Sequence, residues 1–144
     1  MPTLLTLDAS VFVAACRSQE PGFNAAMALL RAIRDADIPL IEPAILPVEV
    51  AAALSRTGDD AALAQEYAET LLALPYLTLL PVDERLARQA VEMAAVHGLR
   101  GADALYVTSA VRYGAKLVTL DKEQLRRSPD AVGACKPEAA LRLL

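Results

Sequence analysis

The sequence predicts an α/β fold: a central parallel sheet of four to five strands, flanked by helices on both faces. Three observations carry this expectation. Short, β-rich apolar runs alternate with helical stretches along the chain, the pattern of parallel strands joined by right-handed helical crossovers. The composition is 55% hydrophobic with a mean hydropathy of +0.33, which suits a sheet buried on both faces. The length of 144 residues suits one domain. With no internal repeat, low-complexity tract or linker, residues 1–144 read as a single compact domain.

Thr3 to Leu7 is a short apolar run, read as a buried strand ending on Asp8. Ala9 to Cys16 continues as a helix or turn, and Gln19-Glu-Pro-Gly22 breaks the chain. Asn24 to Asp35 is amphipathic, with Met27, Leu30 and Ile33 on its inward side. Ile38 to Ile41 is a second strand, ended by Glu42-Pro43. Pro47 marks the first turn of the next helix, and Glu49 lies just inside that turn. Gly58-Asp59-Asp60 is a loop and cap. Ala61 to Leu74 is a helix with Leu63, Tyr67, Leu71 and Leu74 at helical spacing, facing the core or a partner. Leu77 to Val82 is a third strand. Asp83 caps a helix that runs to His97, with Leu86, Ala90, Met93 and Ala94 inward, and Gly98 closes it.

The stretch Leu99–Asp121 is the centre of the pattern. Arg100-Gly101 is a turn. Ala102 to Tyr113 carries apolar residues around the whole wheel, which marks a buried helix. Asp103 nevertheless sits in its first turn. Gly114 stops the helix, and Lys116 to Leu120 is a fourth strand that ends on Asp121. Lys122 to Arg127 is a short helical turn. Ala131 to Lys136 is a candidate fifth, edge strand, and Pro137 to Leu144 a short terminal helix.

The bulk numbers exclude several classes. No apolar run reaches the roughly 18 residues of a membrane span, and the opening MPTLLTLDAS meets an acid at position 8 without a basic stretch, unlike a secretory signal. Cys16 and Cys135 lack metal-binding spacing and read as reduced core thiols of a cytoplasmic protein. A net charge of −4 argues against indiscriminate coating of nucleic acid. It does not argue against a nuclease, because a carboxylate metal site is itself negative. Arginine supplies 11 of the 14 basic residues, and its planar fork suits phosphate and carboxylate partners.

Four acids stand out by position: Asp8, Glu49, Asp103 and Asp121. Asp8 and Asp121 follow apolar strands, and Glu49 and Asp103 open apolar helices. In a doubly wound sheet these places share one edge, where ligands bind at the topological switch point. The ordinary role of each alone is a cap or a helix-dipole carboxylate. Together they would raise one another's pKa values, and a divalent cation relieves that repulsion. All-oxygen ligands select Mg²⁺ or Mn²⁺. His97, the one histidine, reads as a helix-end residue and offers no zinc cluster. Carboxylate-held Mg²⁺ points to phosphodiester hydrolysis. Ser10 and Thr119, each two residues from an acid, are candidates to orient a water or a ligand carboxylate. For RNA contact the candidates are Arg100, Lys122, Arg126 and Arg127, with Arg17 a weaker one. No aromatic residues interleave with them, so base stacking is not predicted.

The segments Leu7–Val11 (LDASV), Pro47–Val50 (PVEV), Arg100–Tyr106 (RGADALY) and Leu117–Asp121 (LVTLD) resemble the four acidic motifs of PIN domains. More closely, they resemble those of VapC-type toxins of toxin–antitoxin pairs. The resemblance runs nearly the whole chain, in order. It implies a Mg²⁺- or Mn²⁺-dependent endoribonuclease with Asp8, Glu49, Asp103 and Asp121 as metal ligands. It also implies a homodimer and a VapB-like antitoxin whose C-terminal segment blocks the groove, with the apolar helices between Asn24 and Leu74 as candidate partner surfaces.

Two enzyme rivals fail on motif context. A haloacid-dehalogenase phosphatase wants an acid two residues after Asp8, where Ser10 stands, and a response-regulator receiver wants an acidic pair that Asp8-Ala9 does not supply. Two further readings keep the fold: an RNA-processing nuclease outside any toxin pair, and a catalytically silent scaffold that binds a partner or RNA.

Overall fold

The computed structural model describes residues 3–144. Its elements in order are β1 (Leu5–Leu7), α1 (Ala9–Ala14), α2 (Phe23–Ala36), β2 (Leu40–Pro43), α3 (Leu46–Gly58), α4 (Ala61–Leu72), β3 (Leu77–Leu80), α5 (Glu84–His97), α6 (Gly101–Tyr113), β4 (Lys116–Val118), α7 (Lys122–Arg127) and α8 (Pro137–Leu141). The four strands form one parallel sheet in the order β3-β2-β1-β4. The chain adds β2 and β3 on one side of β1, then returns to place β4 on the other. The switch point therefore lies between β1 and β4, and their C-terminal ends carry Asp8 and, three residues past β4, Asp121.

All three residues of β1 are buried, including Thr6. A strand with no exposed side chain is covered on both faces, so the sheet is flanked by helices as the composition predicts. Helix α6 packs across β2, β1 and β4, and seven consecutive-turn residues from Asp103 to Ala110 are buried. That burial explains the absence of a polar face in its sequence. Leu29 and Ile33 of α2, Leu46 and Val50 of α3, and Leu86 of α5 complete the core.

The ladder between β1 and β2 is unusual. Only Leu5 and Leu40 pair in backbone register. Beyond them side chains take over: the Thr6 hydroxyl donates to the Ile41 carbonyl at 2.7 Å, and the Leu7 N–H donates to Glu42 Oε2 at 2.8 Å. The two strands part toward the edge where Asp8 emerges, and a carboxyl group fills the gap.

Two expectations are corrected. Residues 131–136 do not form a fifth strand. Asp130–Val132 is a 3₁₀ turn, and only an isolated parallel bridge joins Cys135 to Val118. Gly133, at φ +50°, turns the chain before any ladder can extend. Cys16 is not a core thiol: it lies exposed just past α1, because that helix ends at Ala14 with its buried face already complete. Cys135 is half-buried.

Candidate metal centre

Asp8 stands where β1 becomes α1. Its Oδ2 accepts from the Ser10 N–H at 3.0 Å, capping the helix, and its own N–H donates to the Val118 carbonyl at 2.9 Å. The second bond ties the acid to β4. Asp121 plays the matching part after β4: its Oδ1 accepts from the Gln124 N–H at 2.9 Å and caps α7. The ordinary capping role is thus real for both residues, and it occupies one oxygen of each.

Ser10 and Thr119 bind the two ends together. The Ser10 hydroxyl accepts from the Leu120 N–H at 3.1 Å and lies 3.5 Å from the Thr119 hydroxyl, which accepts from the Asp121 N–H at 3.0 Å. Both hydroxyls brace the backbone that carries Asp121.

Glu49 lies in the first turn of α3 and Asp103 in the first turn of α6. Helix N-termini favour negative charge. Asp8 is only 7% exposed and Asp103 only 9%. Burial raises the Asp8 pKa; the Ser10 hydrogen bonds oppose it, and the Glu49 and Asp121 carboxylates add to it. Burial likewise raises Asp103, opposed by Arg100 and reinforced by Asp8 and Asp121. Asp121 is shifted the other way. Burial would raise it, but the Gln124 N–H and the Arg100 guanidinium outweigh burial and lower it. Asp8 therefore feels the charges of Glu49 and Asp121, and Asp103 those of Asp8 and Asp121.

Arg100, the residue before α6, occupies the middle of this charge. Its Nε donates to Asp103 Oδ2 at 3.1 Å and its Nη2 to Asp121 Oδ2 at 2.5 Å. The side chain is 70% exposed, and each such solvent-facing pair is worth only about 0–1 kcal/mol. A cleft of about 260 Å³ opens beside it, lined by Gly98, Leu99, Arg100, Asp103, Glu123 and Arg127.

Among the described residues, no three His, Cys, Asp or Glu side chains close on one point as a metal would require. The donor set nevertheless fits a hard divalent cation. It is all carboxylate, burial and then neighbouring charge raise the pKa of two of its members, and the Arg100 guanidinium stands between two of them.

The other predicted contacts sit close by. Arg126 and Arg127 both pair with Glu123, at 2.6 and 2.7 Å, and Arg127 also donates to the Gly98 carbonyl. Lys122 is exposed. Arg17 lies elsewhere, donating to the Ala53 carbonyl and to the Thr57 hydroxyl.

Two residues behind the acids escaped the sequence reading. Glu42 is fully buried; burial and then the Asp8 charge push its pKa well up, against the lowering effect of the Leu7 N–H, and its Oε1 makes no hydrogen bond among the described residues. Tyr106 is also fully buried. Its phenol has no hydrogen bond of ordinary geometry, and burial followed by the neighbouring Glu49 carboxylate holds its pKa far up. The available signal for Glu42 was its position as the one charged residue between Ile38 and Val48. For Tyr106 it was a phenol in a helix of small and aliphatic residues.

The family model for the PIN domain matches residues 5–129. This chain belongs to the PIN domain family. Among solved structures it is similar to PAE2754 from Pyrobaculum aerophilum, with 23% identity, a TM-score of 0.72 and coverage of 98% of this chain and 88% of that one. It is similar also to VapBC2 from Rickettsia felis, solved bound to a DNA fragment from its promoter (14% identity, TM-score 0.69, 93% and 98% covered). A third is VapC20 from Mycobacterium tuberculosis, a sarcin–ricin-loop-cleaving toxin (16% identity, TM-score 0.67, 83% and 92% covered). At these identities the likeness is one of fold. No curated protein matches the chain in sequence.

Proposed function

We propose that this chain is a divalent-metal-dependent endoribonuclease, the toxin of a toxin–antitoxin pair, acting in the cytoplasm as one PIN domain over residues 1–144. The observation that carries the reading is a PIN fold in which the Asp8 charge acts on Glu49, Asp103 and Asp121, while the Arg100 guanidinium pairs with Asp103 and Asp121. Asp8, Glu49, Asp103 and Asp121 would hold Mg²⁺, or Mn²⁺ in its place. Such an ion supplies a more acidic water and neutralises charge on a phosphodiester. Asp8 and Asp103, buried and raised in pKa, gain most from a cation and lose affinity for it as they protonate. Ser10 and Thr119 keep Asp121 in register with Asp8. Arg100 and Arg127, which line the cleft, and Lys122 and Arg126 are the phosphate contacts, with Arg126 and Arg127 paired to Glu123.

Similar structures include toxin–antitoxin complexes from Rickettsia felis and Salmonella typhimurium. They support an antitoxin partner, whose C-terminal segment would block the groove. Val48, Leu63 and Leu72 expose apolar surface on α3 and α4, and a groove of about 520 Å³ lies where Leu54, Leu63 and Tyr67 face Cys16, Arg17 and Glu20 of the segment after α1. These faces suit the antitoxin or a second copy in a homodimer. Sedimentation of the purified chain, alone and with the product of an adjacent small reading frame, measures both associations.

The test is incubation of the antitoxin-free protein with a mixed cellular RNA pool in Mg²⁺, in Mn²⁺ and in EDTA. Discrete cuts are expected with either ion, none in EDTA and none from Asp103→Asn. Cuts that persist in EDTA would overturn the metal reading, and an inert protein under every ion would leave a binding scaffold.

A further inference from the structure

Arg100 joins the start of α6 to the end of β4 through one planar cation. It reaches Asp103 Oδ2 with Nε and Asp121 Oδ2 with Nη2. Asp121 Oδ1 is already committed to the Gln124 N–H, so the guanidinium takes the oxygen that capping leaves available. A divalent ion at the same carboxylates would meet this guanidinium at contact distance, and like charges that close repel strongly. The two cations therefore exclude each other.

The arm is free to leave. Its side chain is 70% exposed, and it borders an open cleft rather than the core. Side-chain rotation alone frees it, with no movement of α6 or β4. Its neighbours are less suited to the part: Arg126 and Arg127 pair with Glu123 rather than with Asp103 or Asp121.

We propose that Arg100 gates the metal site. It bridges Asp103 and Asp121 as a built-in counter-charge. When a divalent cation enters, it gives up both carboxylates and offers its fork to a phosphate of the RNA in the adjoining cleft. The proposal rests on the metal-nuclease reading above. An arginine suits the exchange because one planar fork spans two carboxylates and then binds phosphate bidentately. A lysine presents a single point charge and does neither as well.

The test is calorimetric titration of Mn²⁺ alone into the wild-type chain, Arg100→Ala and Arg100→Lys. Arg100→Ala is expected to bind Mn²⁺ about tenfold more tightly, the range set by two exposed ion pairs, with Arg100→Lys in between. In EDTA, Arg100→Ala should melt below wild type, and saturating Mn²⁺ should erase that difference. A labelled short phosphorothioate RNA, slow to hydrolyse, should bind Arg100→Ala severalfold more weakly in Mn²⁺ and equally in EDTA. Unchanged or weaker Mn²⁺ binding by Arg100→Ala overturns the gate. Equal RNA binding in Mn²⁺ overturns the hand-over to phosphate. If neither wild type nor variant binds Mn²⁺, the metal reading itself falls, and the gate with it.

Discussion

Asp8 and Asp103 differ from surface carboxylates in being buried next to other acids. Their folded pKa values are raised by burial first and by neighbouring charge after. A raised carboxyl contributes stability that is full below its unfolded pKa and is lost as pH rises through the folded value. Each therefore becomes costly to the fold as pH rises through its folded pKa and the carboxylate ionises. Asp8→Asn keeps a capping side chain and removes the charge. It should cut RNA more than about 100-fold more slowly, beyond the 10–100-fold typical of losing a group that only supports a ligand. In EDTA at neutral pH it should melt no lower than wild type, with the gap closing as pH falls. A markedly lower melting temperature would mean that Asp8 is chiefly structural. Glu42 gives a second pH signature. Its pKa stands well above the ordinary value, so wild type should lose stability on the alkaline side as this buried acid ionises. Glu42→Gln cannot ionise, and its melting curve against pH should be flatter there. Parallel curves for the two proteins would show that Glu42 does not titrate in the folded state. Asp8, Glu49, Asp103 and Asp121 were legible as an unusual set because each adjoins an apolar element. Glu42 was not, since an acid before a proline reads as the end of a strand.

The helix α6 shows how an element can be read correctly for the right physical reason. Its apolar wheel predicts burial, and it packs across three strands. Its end is set by Gly114, at φ +65°, with no neighbour near a notional Cβ. Gly114→Ala should therefore cost about 1 kcal/mol from backbone strain alone, measured by urea unfolding, and leave Mn²⁺ affinity untouched. A change in affinity would mean that the far end of α6 positions Asp103. The missing fifth strand and the β1–β2 gap mark the limits of pattern reading. The stretch 131–136 contains Gly133, but the sequence does not report that it adopts φ +50° and turns the chain away from a ladder. Thr6 and Glu42 replace backbone pairing with side-chain bonds, which no periodicity reports. Cys16 escaped for a similar reason: helix α1 stops two residues short of it.

At the scale of the whole molecule, topology brings the ends of β1 and β4 together. The order β3-β2-β1-β4 sets them side by side, although Asp8 and Asp121 are far apart in sequence. Strand alternation predicted the layered sheet, and the four acidic motifs in order predicted the family. The Arg100 bridge was invisible, because it depends on two carboxylates meeting in space. The chain carries a net charge of −4, and of its 14 Lys and Arg residues the proposed RNA contacts are Arg100, Lys122, Arg126 and Arg127. Single-strand binding should then show a shallow salt dependence, no steeper than a log–log slope of about −3 for four phosphate contacts. A much steeper slope, measured by anisotropy across salt concentrations, would reveal a larger basic footprint elsewhere.

The chemistry of the cut ends tests the central claim most directly. Hydrolysis by water in a carboxylate–metal site leaves the ribose 2′-hydroxyl out of the reaction. Mass spectrometry of fragments from the Mn²⁺ reaction should show one end with a free 3′-hydroxyl and the other with a 5′-phosphate, and no cyclic phosphate. Fragments ending in a 2′,3′-cyclic phosphate would show that the RNA's own hydroxyl is the nucleophile, and would contradict the role assigned to Asp8, Glu49, Asp103 and Asp121.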